Sequence, residues 1–448
     1  MRSGILVGFL LAGQLAMGQD ESFRVYADHP RLLLTSQRLR LLKRERQRET
    51  MRSRQFITLI QGSAQMPEPG FALALYYEIS DDAARGKQAV DWALGAGADL
   101  RQLALVYDWC QPLLSPAQAR TLAAKIRRLL DQQRPAGVGD WRDRIFALIA
   151  TADSDSDQHP EEAPLRDAIR NWWRTQFAPG LASGQTTLAL PDLYAVLEVL
   201  HAVRDNLQID LREAAPAYFR DLPKYQILGN YPAPLKVAEN EYRIPVYQGT
   251  GEPNLERAAL ARVAGLSGVA YDNNALENQF LQGWLIQDRY QLKSPFGAPY
   301  EFLWANPYQP GLSYYQMPGV FHDPHSGALF ARSSWDEDAD WFGLYKGEVQ
   351  FFHDGHITVL NQAGRASDHP EAIPMGLASV VFGRTPMKFQ MQGGTVLVVG
   401  LKPQHKYLVE ADDEEMCEGI TDRAGTLALE YAAGQAAGVR IHEQTEPN

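Results

Sequence analysis

Three clusters in this 448-residue chain carry groups able to move protons, neutralise charge or hold a metal. The first is Glu239-Asn240-Glu241-Tyr242-Arg243, with Tyr247 close behind. It offers an amide, a phenol and a guanidinium within four residues. Tyr242 is the group to take a proton, and Asn240, Arg243 and Tyr247 are the groups to hold a developing oxyanion. The plainer reading of the same residues is a polar connection whose tyrosines pack on the rim of the helices around them. The second cluster is Phe352-His353-Asp354-Gly355-His356. Residues three apart on one strand face opposite sides, so His353 and His356 share a side only if Asp354-Gly355 turns the chain into a hairpin. The plain alternative is a surface hairpin with incidental histidines. The third is His322-Asp323-Pro324-His325, with Asp336 downstream. Imidazole and carboxylate oxygen both suit zinc, which makes His322 and Asp336 candidate ligands of a structural Zn.

Other features have simpler readings. The acidic run Glu410, Asp412, Asp413, Glu414, Glu415 and Glu418 lacks the spacing of a calcium loop and reads as a solvated strand end. Trp172-Trp173, Trp284 and Trp304 have rings that could stack on sugars, and helical spacing makes Trp284 a core residue. There is neither a phosphate-cradling glycine loop nor a G-x-S-x-G nucleophile signature.

From about residue 30 to 290 the apolar period is helical. Leu193, Val196, Leu197, Leu200 and Leu207 follow the spacing of one helix face. Ser115-Pro116-Ala117-Gln118 is a capping box with proline in the first turn. Helices in such numbers must pack in pairs, as an α/α toroid or solenoid. Arg31 to Arg54 holds nine Lys/Arg and two Glu, a run that reads as a solvated helix face or as a polyanion-binding face. After residue 290 prolines and glycines mark a linker, and short strand-like runs follow, such as 327–333, 341–346 and 394–400. They predict an antiparallel β-sandwich. Leu401, Pro403 and Tyr407 match the L-x-P…Y pattern of a tyrosine corner.

The fold class expected is therefore α+β and multidomain. Residues 1–18 form a signal peptide, 19–300 the helical domain, 301–435 the β-sandwich and 436–448 a tail. Arg2, the apolar run 4–18 and Ala16-Met17-Gly18 carry the signal-peptide reading, which places the mature protein in the periplasm or outside the cell. No later segment holds 18 uninterrupted apolar residues, so no stable membrane insertion is expected after cleavage. A net charge of −11 argues against a general nucleic-acid binder. Cys110 and Cys417 are too few for a disulfide scaffold or a cysteine zinc cluster.

Asp28-His29-Pro30-Arg31-Leu32-Leu33-Leu34-Thr35, Tyr107-Asp108-Trp109 and Arg332-Ser333-Ser334-Trp335-Asp336, in that order, resemble the heparinase II/III-like group of polysaccharide lyases. The resemblance covers about residues 26–360. It implies an incomplete α/α toroid of the chondroitin AC and alginate lyase type, then an antiparallel β-sandwich, with a substrate cleft between them. It also implies β-elimination on an acidic, uronate-containing polysaccharide, without a required cofactor. In that chemistry Tyr242, His353 and His356 would be catalytic, and Asn240, Arg243 and Tyr247 would bind substrate. The histidine segment departs from the group's His-x-His-x-Asp-x-Gly-like pattern, because here the glycine lies between the histidines. That divergence supports an alternative, a non-catalytic glycan-binding or scaffold protein on the lyase fold.

Overall fold

A computed structural model describes residues 22–153, 158–237, 240–361 and 366–443. The signal-peptide expectation falls on residues outside that set. Helices run Ser36–Gln47, Met51–Gln61, Pro69–Ser80, Ala83–Leu94, Leu100–Trp109, Pro116–Gln132, Val138–Ala150, Leu190–Leu207, Pro216–Leu228, Leu255–Tyr271, Leu276–Leu285 and Gly297–Trp304. Glu162–Ala182 is helical too, with π-type winding over Asp167–Phe177. Thr35, Thr50, Asp82, Asp99 and Asn254 each cap the helix that follows by accepting a backbone N–H. Both bonds of the Ser115–Gln118 capping box are present. No helix among the described residues is long and apolar enough to cross a membrane.

Three helices carry weak sequence signals. Ala83–Leu94 packs through Gly86, Ala89, Val90 and Ala93, residues too small to make an apolar stripe stand out. A Cβ on Gly86 would lie 2.3 Å from Leu113, so the close packing needs glycine there. Pro216–Leu228 has Pro223 in its interior. Gly297–Trp304 crosses the boundary expected at 300, and its Tyr300, Phe302, Leu303 and Trp304 are buried in the helical core.

A small hairpin pairs β1 (Leu235–Val237) with β2 (Asn240–Tyr242). A five-stranded antiparallel meander follows: β3 (Val320–Asp323), β4 (Ala328–Arg332), β5 (Trp341–Tyr345), β6 (Glu348–His353) and β7 (His356–Val359). The rest are β8 (Ala372–Met375), β9 (Ala378–Phe382), β10 (Met387–Val399), β11 (Lys406–Ala411), β12 (Glu414–Ile420) and β13 (Leu427–Glu443). They form a six-stranded sheet in the order β12-β11-β13-β10-β9-β8. This sheet is mixed rather than antiparallel, because Ala378–Phe382 pairs in parallel with Thr395–Val399. A parallel pair needs a crossover, and residues 383–394 supply it. The expected tail is corrected as well: β13 runs to Glu443, bonded to β10 on one side and β11 on the other.

The strands alternate with period two. Leu329, Ala331, Phe342, Leu344 and Val349 share one apolar cluster with Met375, Val380, Leu397 and Val399 of the second sheet. Phe330, Trp341 and Phe352, on the other face, pack on Leu228, Tyr231, Ile244, Val246 and Ala258. The buried Trp341 indole donates to the Leu228 carbonyl at 2.8 Å, tying the meander to the helices. Tyr407 is buried, and its hydroxyl accepts the Lys402 N–H at 3.0 Å, the bond expected of a tyrosine corner.

Candidate functional site

A cavity of about 480 Å³ opens between the helical part and the meander. Its walls come from residues 181–193, the helix Pro216–Leu228, the segment after β2, the helices Leu255–Tyr271 and Leu276–Leu285, and residues 320–326 around β3. Tyr242 and Arg243 both line it.

The charge of the walls is the informative property. Arg220, Lys224, Arg243, Arg257 and Arg262 line the cavity, against Asp221 and Asp323. Arg262 is neutralised by Glu301 through bonds of 2.6 and 2.7 Å, and Arg220 by Asp221. Among the described residues no carboxylate pairs with Lys224, Arg243 or Arg257. Arg257 donates to the Val246 carbonyl and the Tyr345 hydroxyl, at 3.0 and 2.9 Å, and its Nε is buried without a partner. The Arg243 guanidinium lies between the rings of Trp284 and Tyr290, 3.8 and 4.2 Å from their centres. Burial pushes its pKa down to about 10, so it keeps its charge at neutral pH. A cavity with unneutralised cations in a chain of net charge −11 favours an anionic occupant. Burial pushes the Tyr225 phenol far above its ordinary range, which makes that wall residue a donor rather than a base.

His322 lines the cavity as well, and the other expected site residues lie elsewhere. Asn240 pairs with Val237 in the small hairpin, and its Oδ1 is buried without a partner. The Tyr247 hydroxyl donates to the Gly251 carbonyl at 2.7 Å, away from the cavity walls. Asp354 and Gly355 both take positive φ, 48° and 77°, and turn β6 into β7 so that His353 faces His356 across the hairpin. Both histidines are thus on one side, but it is the side of Val349, whereas Gln350 and Phe352 point to the helices. They do not line the cavity and are not brought together with Tyr242. His353 is 68% exposed, stacks on Phe351 and holds Asp340 at 2.6 Å, a bond that raises its pKa. His322 lies 2.9 Å from Asp422, while the Asp336 carboxylate accepts from the Ser334 hydroxyl and the Asp336 backbone N–H donates to that same hydroxyl oxygen. The two candidate zinc ligands therefore have separate partners. No group of three His, Cys, Asp or Glu among the described residues is placed to hold a metal.

The remaining motifs are absorbed by packing. Trp172 stacks on Trp141, and Trp304 donates to the Tyr194 hydroxyl. Asp412 and Asp413 make the turn between β11 and β12, where Asp413 pairs with Arg440. Arg101, in the helical core, donates to Glu198 and Glu68, and Arg142 joins Glu198 to Asp143. Cys110 is buried, Cys417 is on β12, and both are free thiols. The signals missed in the sequence are Lys224 and Tyr225, which sit in a helix obscured by its prolines.

No family model matches the chain, and no curated protein does. Among solved structures, one titled "Glycoside hydrolase" is similar over 95% of this chain and 80% of its own, at 9% identity and a TM-score of 0.31. That likeness is too distant to assign an activity.

Proposed function

We propose that this chain is an exported, lyase-like protein that binds a uronate-containing polysaccharide in the cavity between its helices and its sheets. The helices read as an incomplete α/α toroid and the two sheets as a sandwich. The observation that carries the reading is the set of cations Lys224, Arg243 and Arg257, which line the cavity without a carboxylate partner among the described residues. A uronate carboxylate would supply the missing charge, and Trp284, Leu281 and Leu285 offer apolar wall for the sugar faces. β-Elimination is the reaction these groups suit: Arg257 neutralises the carboxylate as the enolate forms, and Tyr242 as its phenolate takes the α-proton. The bond to the glycosidic oxygen at the β-carbon breaks to leave the unsaturated uronate, as Tyr242 hands that proton to the departing oxygen. Neither His353 nor His356 takes part.

Incubation with alginate, chondroitin, heparan and pectin panels tests the reaction, read as the ultraviolet absorbance of a newly formed unsaturated uronate. We expect product from one of them, and loss of product with retained binding in Tyr242→Phe. Folded protein that binds these chains and yields no product would favour the second reading, a non-catalytic glycan binder. The placement of both histidines outside the cavity is the observation on that side. Absence of binding to any acidic glycan would sink both.

A further inference from the structure

The helix Ser36–Gln47 carries a charge pattern that the cavity does not explain. Arg40, Arg44 and Arg48 recur every fourth residue, so they form one stripe with steps of about 6 Å along the axis. All three are exposed. Tyr308 lies across the stripe, its ring centre 4.3 Å from the Arg44 guanidinium and 5.5 Å from that of Arg48, and it is 38% exposed. Arg54 on the next helix is exposed too, whereas Arg46, two residues from Arg44, lies on the other side of the helix from the stripe.

The nearby acids do not cancel this charge. Glu45 is buried and bonded to Arg52, Asp81 is taken by Lys43, and Glu49, exposed next to Arg48, makes no ion pair with these arginines among the described residues. Among the described residues no carboxylate pairs with Arg40, Arg44, Arg46, Arg48 or Arg54. The helix macrodipole accounts for Arg44 and Arg46 in the last turn. It does nothing for Arg40 in the middle of the helix, or for Arg54 on the next one. A net-acidic protein that lines up three exposed arginines in one stripe, with no carboxylate partner among the described residues, is complementary to a linear polyanion.

We propose that the Arg40–Arg44–Arg48 stripe, with Tyr308, is a docking site for a polyanionic polysaccharide chain, separate from the cavity. The choice of a saccharide rests on the reading of the cavity. The charge pattern and the exposed ring, which offers a flat face to a sugar, rest on the helix alone.

Heparin and a uronate disaccharide, titrated calorimetrically into the full chain, test it. The variant Arg40→Ser/Arg44→Ser/Arg48→Ser should lose about tenfold or more in heparin affinity and show a shallower salt dependence. It should bind the disaccharide as wild type does. Arg257→Met should do the reverse. If the triple variant does not melt as wild type does, Arg40→Gln and Tyr308→Ala are measured singly and should each weaken heparin binding. Heparin binding unchanged in these variants overturns the proposal. So does wild-type binding to duplex DNA or phosphatidylserine vesicles as tight as to heparin at the same salt. Heparin binding without disaccharide binding would remove the cavity reading and leave the stripe.

Discussion

Both carboxylate oxygens of Asp108 lie 2.9 Å from the backbone nitrogen of Arg31. Asp108 also accepts the Leu32 N–H at 2.8 Å and holds His29 at 2.5 Å, while the indole of Trp109 donates to the Leu32 carbonyl. The two motifs 28–35 and 107–109 are therefore partners. One is an irregular entry segment that forms no strand, and the other is the helix end that pins it. The Arg31 guanidinium continues the anchor to the carbonyls of Ile149 and Ala152. Their joint presence reports how the helical part is closed, not what it catalyses.

Asp108→Ala should cost about 3–5 kcal/mol, because it removes a buried charged acceptor and strands two backbone donors. Asp108→Asn should cost less, since one oxygen remains. Urea unfolding followed by circular dichroism measures both. A loss under 1 kcal/mol in the alanine variant would refute the anchor.

Glu198 is fully buried, and its carboxylate is shared by Arg101 and Arg142. Burial alone would raise its pKa, but the two guanidinium groups outweigh that and hold it below 4.5. Glu198→Gln should destabilise by about 3–5 kcal/mol, since two arginines lose the buried charge they share and keep only Glu68 and Asp143. A depressed carboxylate stabilises the fold above its unfolded pKa and loses that contribution as pH falls. The gap between wild type and variant should therefore shrink below about pH 4.5 in thermal melts.

Glu78 behaves in the opposite sense. Burial pushes its pKa up to about 7, with Lys43 opposing and Asp108 and Asp81 adding to the rise. Its ionisation costs stability, a penalty that is absent below about pH 4.5 and complete above about pH 7. Glu78→Gln should stabilise by about 1–2 kcal/mol at pH 8 and by little at pH 4.5, after allowance for its partial exposure. Equal effects at the two pH values would refute it.

His353→Ala and His356→Ala should leave glycan binding and any elimination unchanged, and shift stability by no more than about 0.5 kcal/mol. Turnover assays and thermal melts on each variant check this. A loss of turnover in either would place the chemistry on the β6–β7 hairpin instead of in the cavity.

Much of the architecture was legible because it is written in local chemistry. The Ser115–Gln118 box, the apolar face of Leu190–Leu207, the Asp354-Gly355 turn and the Tyr407 corner each depend on residues close in sequence. The site was legible only in part. Tyr242 and Arg243 were found from side-chain chemistry, and the cavity holds both. Which face His353 occupies is set by the register of β6 against β5, a fact that no spacing within Phe352–His356 encodes. The same is true of His322, whose partner Asp422 is 100 residues away. Whether Arg257 gathers with other cations in a cleft is not readable from its sequence neighbours, because that depends on the absence of a carboxylate partner among the described residues.

β13 follows every other strand in sequence, yet it sits inside its sheet, between β10 and β11. A chain cut before Leu427 would leave that sheet as two fragments, β10-β9-β8 and β11-β12, each with a long open edge. During synthesis the same two edges must wait, unpaired, for the final segment to slot between them. This is the stage at which the protein is most exposed to self-association, and the stage where a chaperone would help most.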